Sequence, residues 1–193
     1  LLQLTTTEEI SSYIKKHNDS FFPHNAWEQL CQQQPHKCLR ALQQLCEEDF
    51  YPTDYWIAAV FVWSEEIIAN NIYERLSSWV IELTETHLQY VADNISWWLE
   101  KVSAYKSFSD KKDSILKICQ RLITLQPTER STFDTSDELL NQALNSSQGR
   151  AAEIIFRFWL NTDLSDDIKI SSPYKELFNE LCSNNISTIA GKV

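Results

Sequence analysis

Apolar residues recur along the chain at spacings of three, four and seven, the repeat of a helix with one buried stripe. Leu88, Val91, Ala92, Ile95, Trp98, Leu99 and Val102 form one such stripe, and Ile115, Ile118, Cys119 and Leu122 another. Helix starts are marked by capping chemistry. Thr5 with Glu8, or Thr6 with Glu9, has capping-box spacing and predicts a first helix towards His17. Asn25 is expected to cap a second helix, and Pro35 fits the first turn of a third that reaches about Glu47. Pro52, Thr53 and Asp54 predict a fourth helix to about Asn70, followed by a fifth from Ile72 to Leu83 and a sixth from Glu85 to Tyr105. Ser109 and Asp110 open a seventh that stops near Gln126 and Pro127. Thr135 with Glu138 predicts an eighth, Gln148 to Asn161 a ninth, and Ser172-Pro173 the start of a tenth.

Two of these segments depart from the one-stripe pattern. Nothing polar interrupts Tyr55 to Trp63, and only Arg150, Glu153 and Arg157 interrupt the apolar residues of the ninth. Helices apolar nearly all round are covered on most sides, so both are expected in an inner layer. Trp56, Trp63, Trp98 and Trp159 fall on core stripes. Short breaks between helices favour antiparallel neighbours, which suits a stack of helical hairpins or a compact bundle. The expected fold is therefore a single all-α domain over residues 1–193, an irregular HEAT-like α-solenoid, with the bundle as the alternative. No motif repeats at a fixed period.

Composition sharpens this. Only 2 glycines are present, Gly149 and Gly191, where average usage of about 7% would give roughly 13. Glycine-rich phosphate loops, dinucleotide fingerprints and primed hairpin turns are excluded. The net charge of −10 is the wrong sign for broad contact with nucleic acid or anionic lipid. The longest apolar run, Tyr55 to Trp63, falls far short of the ~20 residues that span a bilayer. Five cysteines without tight paired spacing read as reduced thiols of a cytoplasmic protein. No methionine occurs, even at position 1, which is read as a segment of a longer protein whose catalytic part lies elsewhere.

Candidate chemistry is sparse. Cys31, His36, Cys38 and Cys46 lack the close ligand pairing of structural zinc, and the cysteine spacing returns to one helical face beside Leu39, Leu42 and Leu45. They are expected in the core, with no metal. Adjacent Glu65 and Glu66 point about 100° apart on a helix and face no partner carboxylate. The four histidines show no ligand spacing, and no serine has a nucleophile-elbow context. No catalytic residue and no cofactor is assigned, and the chain is not expected to be an enzyme. Lys117 and Arg121 share a face in the only locally basic stretch. Tyr90 and Trp97 lie seven apart, off the main stripe of the sixth helix. These four residues are the candidate contacts for a protein partner.

Leu139 to Leu160 reads LLNQALNSSQGRAAEIIFRFWL. The segment Ala143-Leu144-Asn145, three variable residues, then Gly149-Arg150-Ala151-Ala152-Glu153 resembles a turn motif in the helical arrays of large bacterial anti-phage defence proteins, attached to sirtuin-like or STAND-type NTPase domains. The resemblance implies a sensing or scaffolding arm whose partner is a phage protein or another copy of the chain. It carries over no catalytic residue. Asn145 is expected to end one helix in a left-handed conformation, Ser146 or Ser147 to cap the next, and Gly149 to let two helices approach closely. Arg150 and Glu153 complete the motif.

Overall fold

A computed structural model of the chain describes residues 1–18, 22–125, 145–161, 174–177 and 179. Helix accounts for 83% of these and none lies in a strand, so the fold class is all-α. The elements are α1 (Thr7–His17), α2 (His24–Gln33), α3 (Pro35–Glu47), α4 (Thr53–Trp63), α5 (Glu66–Glu82), α6 (Glu85–Val102), a 3-10 helix (Lys106–Lys111), α7 (Lys112–Thr124) and α8 (Ser147–Leu160). The helix predicted from Thr135 lies outside the described residues, as do Ser172 and Pro173, although 174–177 are helical.

Local chemistry explains most starts. Thr6 Oγ1 accepts from the Glu9 amide at 3.2 Å while the Glu9 carboxylate accepts from the Thr6 amide at 3.1 Å, a complete capping box. Pro35 occupies the first turn of α3, where its missing N–H is no loss. Thr84 accepts from His87 N–H at the start of α6, and Ser146 from Gly149 N–H at the start of α8. Asn25 does not cap α2. It sits inside the helix, and Pro23 precedes the first turn.

The largest boundary correction concerns α4. It stops at Trp63 rather than near Asn70, because Ser64 Oγ donates back to Phe61 O at 2.7 Å and Glu65 turns extended. Apolar spacing resumes at once in Ile67, Ile68 and Ala69, so the break leaves no gap in the pattern. Similarly, α6 ends at Val102, and Ser109 and Asp110 belong to the 3-10 helix ahead of α7.

The helices form two layers. In one, α1 packs on α3, α3 on α5 and α5 on α7; in the other, α2 packs on α4, α4 on α6 and α6 on α8, which also leans on α7. The core between and within these layers includes Trp27, Trp56, Trp63, Trp98 and Tyr73, with Cys31, Cys38, Cys46 and Cys119 among them. Burial pushes the Cys46 thiol up to about 11 and the Cys119 thiol to about 12.

A common device ties the layers. The last carbonyls of a helix have no partner of their own, and a donor from the next helix of the same layer reaches several of them. Trp63 Nε1 on α4 donates to Cys31 O of α2 at 3.4 Å, and Trp98 Nε1 on α6 to Trp63 O at 3.0 Å. Tyr105 Oη donates to Ser64 O, just past α4. Arg157 on α8 reaches Glu100 O of α6 at 3.3 Å, and Arg121 on α7 reaches the end of α5.

Candidate functional site

The outward side of the α2–α4–α6–α8 layer is where the structure departs most from expectation. Helix α4 is not covered all round. Trp56, Ala59 and Trp63 point into the core, but Ile57 is 51% and Phe61 60% exposed. A helix without a polar residue from Tyr55 to Trp63 has only apolar groups to place on its outer side. Beside it, α6 turns out a stripe of Tyr90, Asp93, Asn94, Trp97 and Lys101. Between the two helices lies an open groove with a cavity of about 250 Å³, lined by Ile57, Val60, Phe61, Asp93, Asn94, Trp97 and Arg150.

The groove walls are fixed by ring contacts. Phe61 and Trp97 stack with centroids 6.2 Å apart at 23°. The Lys101 ammonium lies 5.5 Å over the Trp97 ring. Arg150, from the first turns of α8, closes one end; its Nε is 3.6 Å from Glu100 Oε2 and its Nη1 3.4 Å from Ser96 Oγ. Among the described residues the side chains of Asp93 and Asn94 have no hydrogen bond or ion pair, so the groove presents apolar surface with unanswered polar groups.

Of the four predicted contacts, the structure brings only Trp97 into this groove, where Arg150 of the turn motif joins it. Tyr90 is 60% exposed but already stacked on Tyr51, centroids 4.0 Å apart at 15°. Nearby, His87 Nε2 is 3.2 Å from Asp49 Oδ1, on the loop between α3 and α4. Lys117 is exposed on α7, in the other layer, with no ion pair among the described residues.

Arg121 is a correction. Its guanidinium donates to Val80 O at 2.6 Å, Ile81 O at 2.7 Å and Leu83 O, so it caps α5 instead of facing a partner. Two other lysines nearby are engaged within the chain: Lys111 pairs with Glu74, and Lys112 lies 5.2 Å over Tyr174.

The turn motif is also built differently from expectation. Asn145 does not take a left-handed conformation; among the described non-glycine residues only Asp49 has a positive φ, at 55°. Ser146 provides the cap, Gly149 donates its amide to it, and Ala151 is fully buried behind them. Gln148 Nε2 donates to Leu125 O at 2.6 Å, just past the end of α7. Glu153 pairs with Arg157 at 2.9 Å. The motif thus joins α8 to α6 and α7. Trp159, Phe156 and Leu160 remain partly open on α8, against the expectation of an inner helix.

Ile57 and Phe61 were missed as site residues. The signal was the uninterrupted apolar run itself, read as burial on every side. Among the described residues no group of three or more His, Cys, Asp or Glu is placed to hold a metal ion. Glu66 accepts a hydrogen bond from Ser107 Oγ at 2.6 Å, while Glu65 occupies the cap position of α5. No helix among the described residues is long and apolar enough to cross a membrane. No protein-family model, curated protein or solved structure matches the chain.

Proposed function

We propose that the chain is a non-catalytic protein-interaction module whose α4–α6 groove receives an apolar anchor from a partner. The observation that carries this is the placement of half-exposed Ile57 and Phe61 beside Trp97 over a cavity with a polar rim. Apolar patches rimmed by polar groups mark docking surfaces, and aromatic anchors in central pockets dominate their energetics. The scaffold is a stack of helical hairpins of the α-solenoid kind. Helix starts step by 28, 31 and 46 residues in one layer (7, 35, 66, 112) and by 29, 32 and 62 in the other (24, 53, 85, 147), an irregular spacing beside the ≈ 40–47 of HEAT units. Caps donated along each layer make every hairpin depend on the next, as repeat architectures require. The resemblance to arms of anti-phage defence proteins gives the module a sensing or scaffolding role, and its buried free thiols suit a reducing cytoplasm.

A photo-crosslinking residue placed at Ile57 tests the reading in cells that make the full-length protein. A discrete protein adduct is expected, and it should vanish when Trp97 is changed to Ala. Adduct formation no greater than from the same crosslinker at Glu82, on α5, would refute the groove as the docking surface. An adduct between two copies would assign the groove to self-association.

A further inference from the structure

We infer that the occupant of the groove is a cationic amphipathic helix, an inference that rests on the docking reading above. The groove runs between two helices packed in one layer, and the α6 stripe from Tyr90 to Lys101 is about 16 Å long, three turns. A groove of this form suits a helix that presents apolar side chains at i, i+3 or i+4, and i+7. The charges around it decide the partner's flank. Arg150 is answered by Glu100 at 3.6 Å, and Arg157 by Glu153 at 2.9 Å. Lys101 is drawn over Trp97 and lies 3.7 Å from the same Glu100. Asp93 in the groove wall has no counter-ion among the described residues, and Asp54 lies one turn before Ile57 on α4. Glu100 is shared by two cations, so Asp54, Asp93 and Glu100 together outweigh Arg150 and Lys101 by one charge around the groove, in a chain of net charge −10. A lysine or arginine beside the apolar anchors of the partner would meet Asp93, and a carboxylate there would be repelled.

Two synthetic helical peptides of three to four turns, with one leucine face and either lysine or glutamate on the flanks, test this by fluorescence anisotropy. The lysine peptide should bind the whole chain more tightly than the glutamate peptide. Asp93→Lys should weaken the lysine peptide by about tenfold at low salt, an effect that shrinks at high salt. Glu82→Lys makes the same change in net charge on α5 and should leave its affinity within about twofold. Phe61→Ala should weaken both peptides, with circular dichroism confirming that its helix content is unchanged. Equal effects of Asp93→Lys and Glu82→Lys would overturn the inference, because the attraction would then belong to net charge alone. If both peptides bind equally and both depend on Phe61, the groove stands as a docking site but its cationic selectivity falls. If neither binds, both readings fall together.

Discussion

Replacing Trp98 and its neighbour Trp97 separately should give very different losses of stability. Trp98 is fully buried, its ring stacks on Tyr73 with centroids 5.8 Å apart, and its indole N–H satisfies Trp63 O at the end of α4. Truncation to alanine removes the ring and leaves a cavity, a loss of about 3–5 kcal/mol. Trp98→Phe retains much of the ring but strands the carbonyl, for about 1–3 kcal/mol. Trp97 is only partly buried and has Phe61 and Lys101 as its ring partners. Its truncation should lower stability by about 1 kcal/mol. Urea melts followed by far-UV circular dichroism measure all three, with unchanged m-values as the check that the unfolded states are comparable. Trp159, whose spacing placed it on a core stripe, is only partly covered on α8 and is no substitute for Trp98 in this comparison. Equal losses for Trp97→Ala and Trp98→Ala would refute Trp97 as a surface residue. Stability of Trp98→Phe within about 0.5 kcal/mol of the parent would refute the interhelical cap.

Arg121→Ala should cost about 2 kcal/mol in the same melts, since three carbonyls at the end of α5 lose a charged donor, whereas Lys117→Ala on the same face should change stability by less than about 0.5 kcal/mol. In a Cys182→Ser background, the thiols of Cys31, Cys38, Cys46 and Cys119 should alkylate at a rate set by unfolding, because all four are buried and Cys31, Cys46 and Cys119 also have raised pKa values; rapid labelling of folded protein at pH 8 would contradict the core placement. The backbone amides of Thr5 and Thr6 hold the Glu9 carboxyl below its ordinary 4.5, so the unfolded chain takes up that proton first as pH falls. Its contribution is present above about pH 4.5 and is lost as pH falls through the lowered value, and Glu9→Gln should flatten the acid limb of a stability–pH curve.

How legible the helices were depended on whether the chemistry that ends them is local. The Thr6–Glu9 box, Pro35 and Ser146 act within four residues of the boundaries they set, and those helices start where the sequence places them. The end of α4 has a local signal, Ser64, but serine is common in helices and the apolar spacing runs through the break into Ile67 and Ile68. The other terminators come from afar. Trp98 lies 35 positions from the carbonyl it caps, and Arg157 lies 57 from Glu100. No window of local sequence contains both partners, so a donor at one helix and an orphan carbonyl at another leave no joint mark. The same distance hid the role of Arg121, whose position in a basic stretch suggested a surface charge.

The groove shows the complementary difficulty. Periodicity tells which residues of a helix share a face, but it cannot tell which face is left over once neighbours have packed. Helix α6 has polar residues, so its second face, with Trp97, was legible as something apart from the core. Helix α4 has none between Tyr55 and Trp63, and every face looks equally fit for burial. Packing order then decides. Inside a two-layer array α4 touches α2 and α6 on its flanks and α3 and α5 behind, which leaves one side that no helix among the described residues covers. Ile57 and Phe61 occupy that side. A soluble helix free of function there could carry Lys or Glu at both positions without disturbing Trp56, Ala59 or Trp63. Isoleucine and phenylalanine at 51% and 60% exposure forgo that gain in solubility, a cost that the proposed docking of a partner over them would offset.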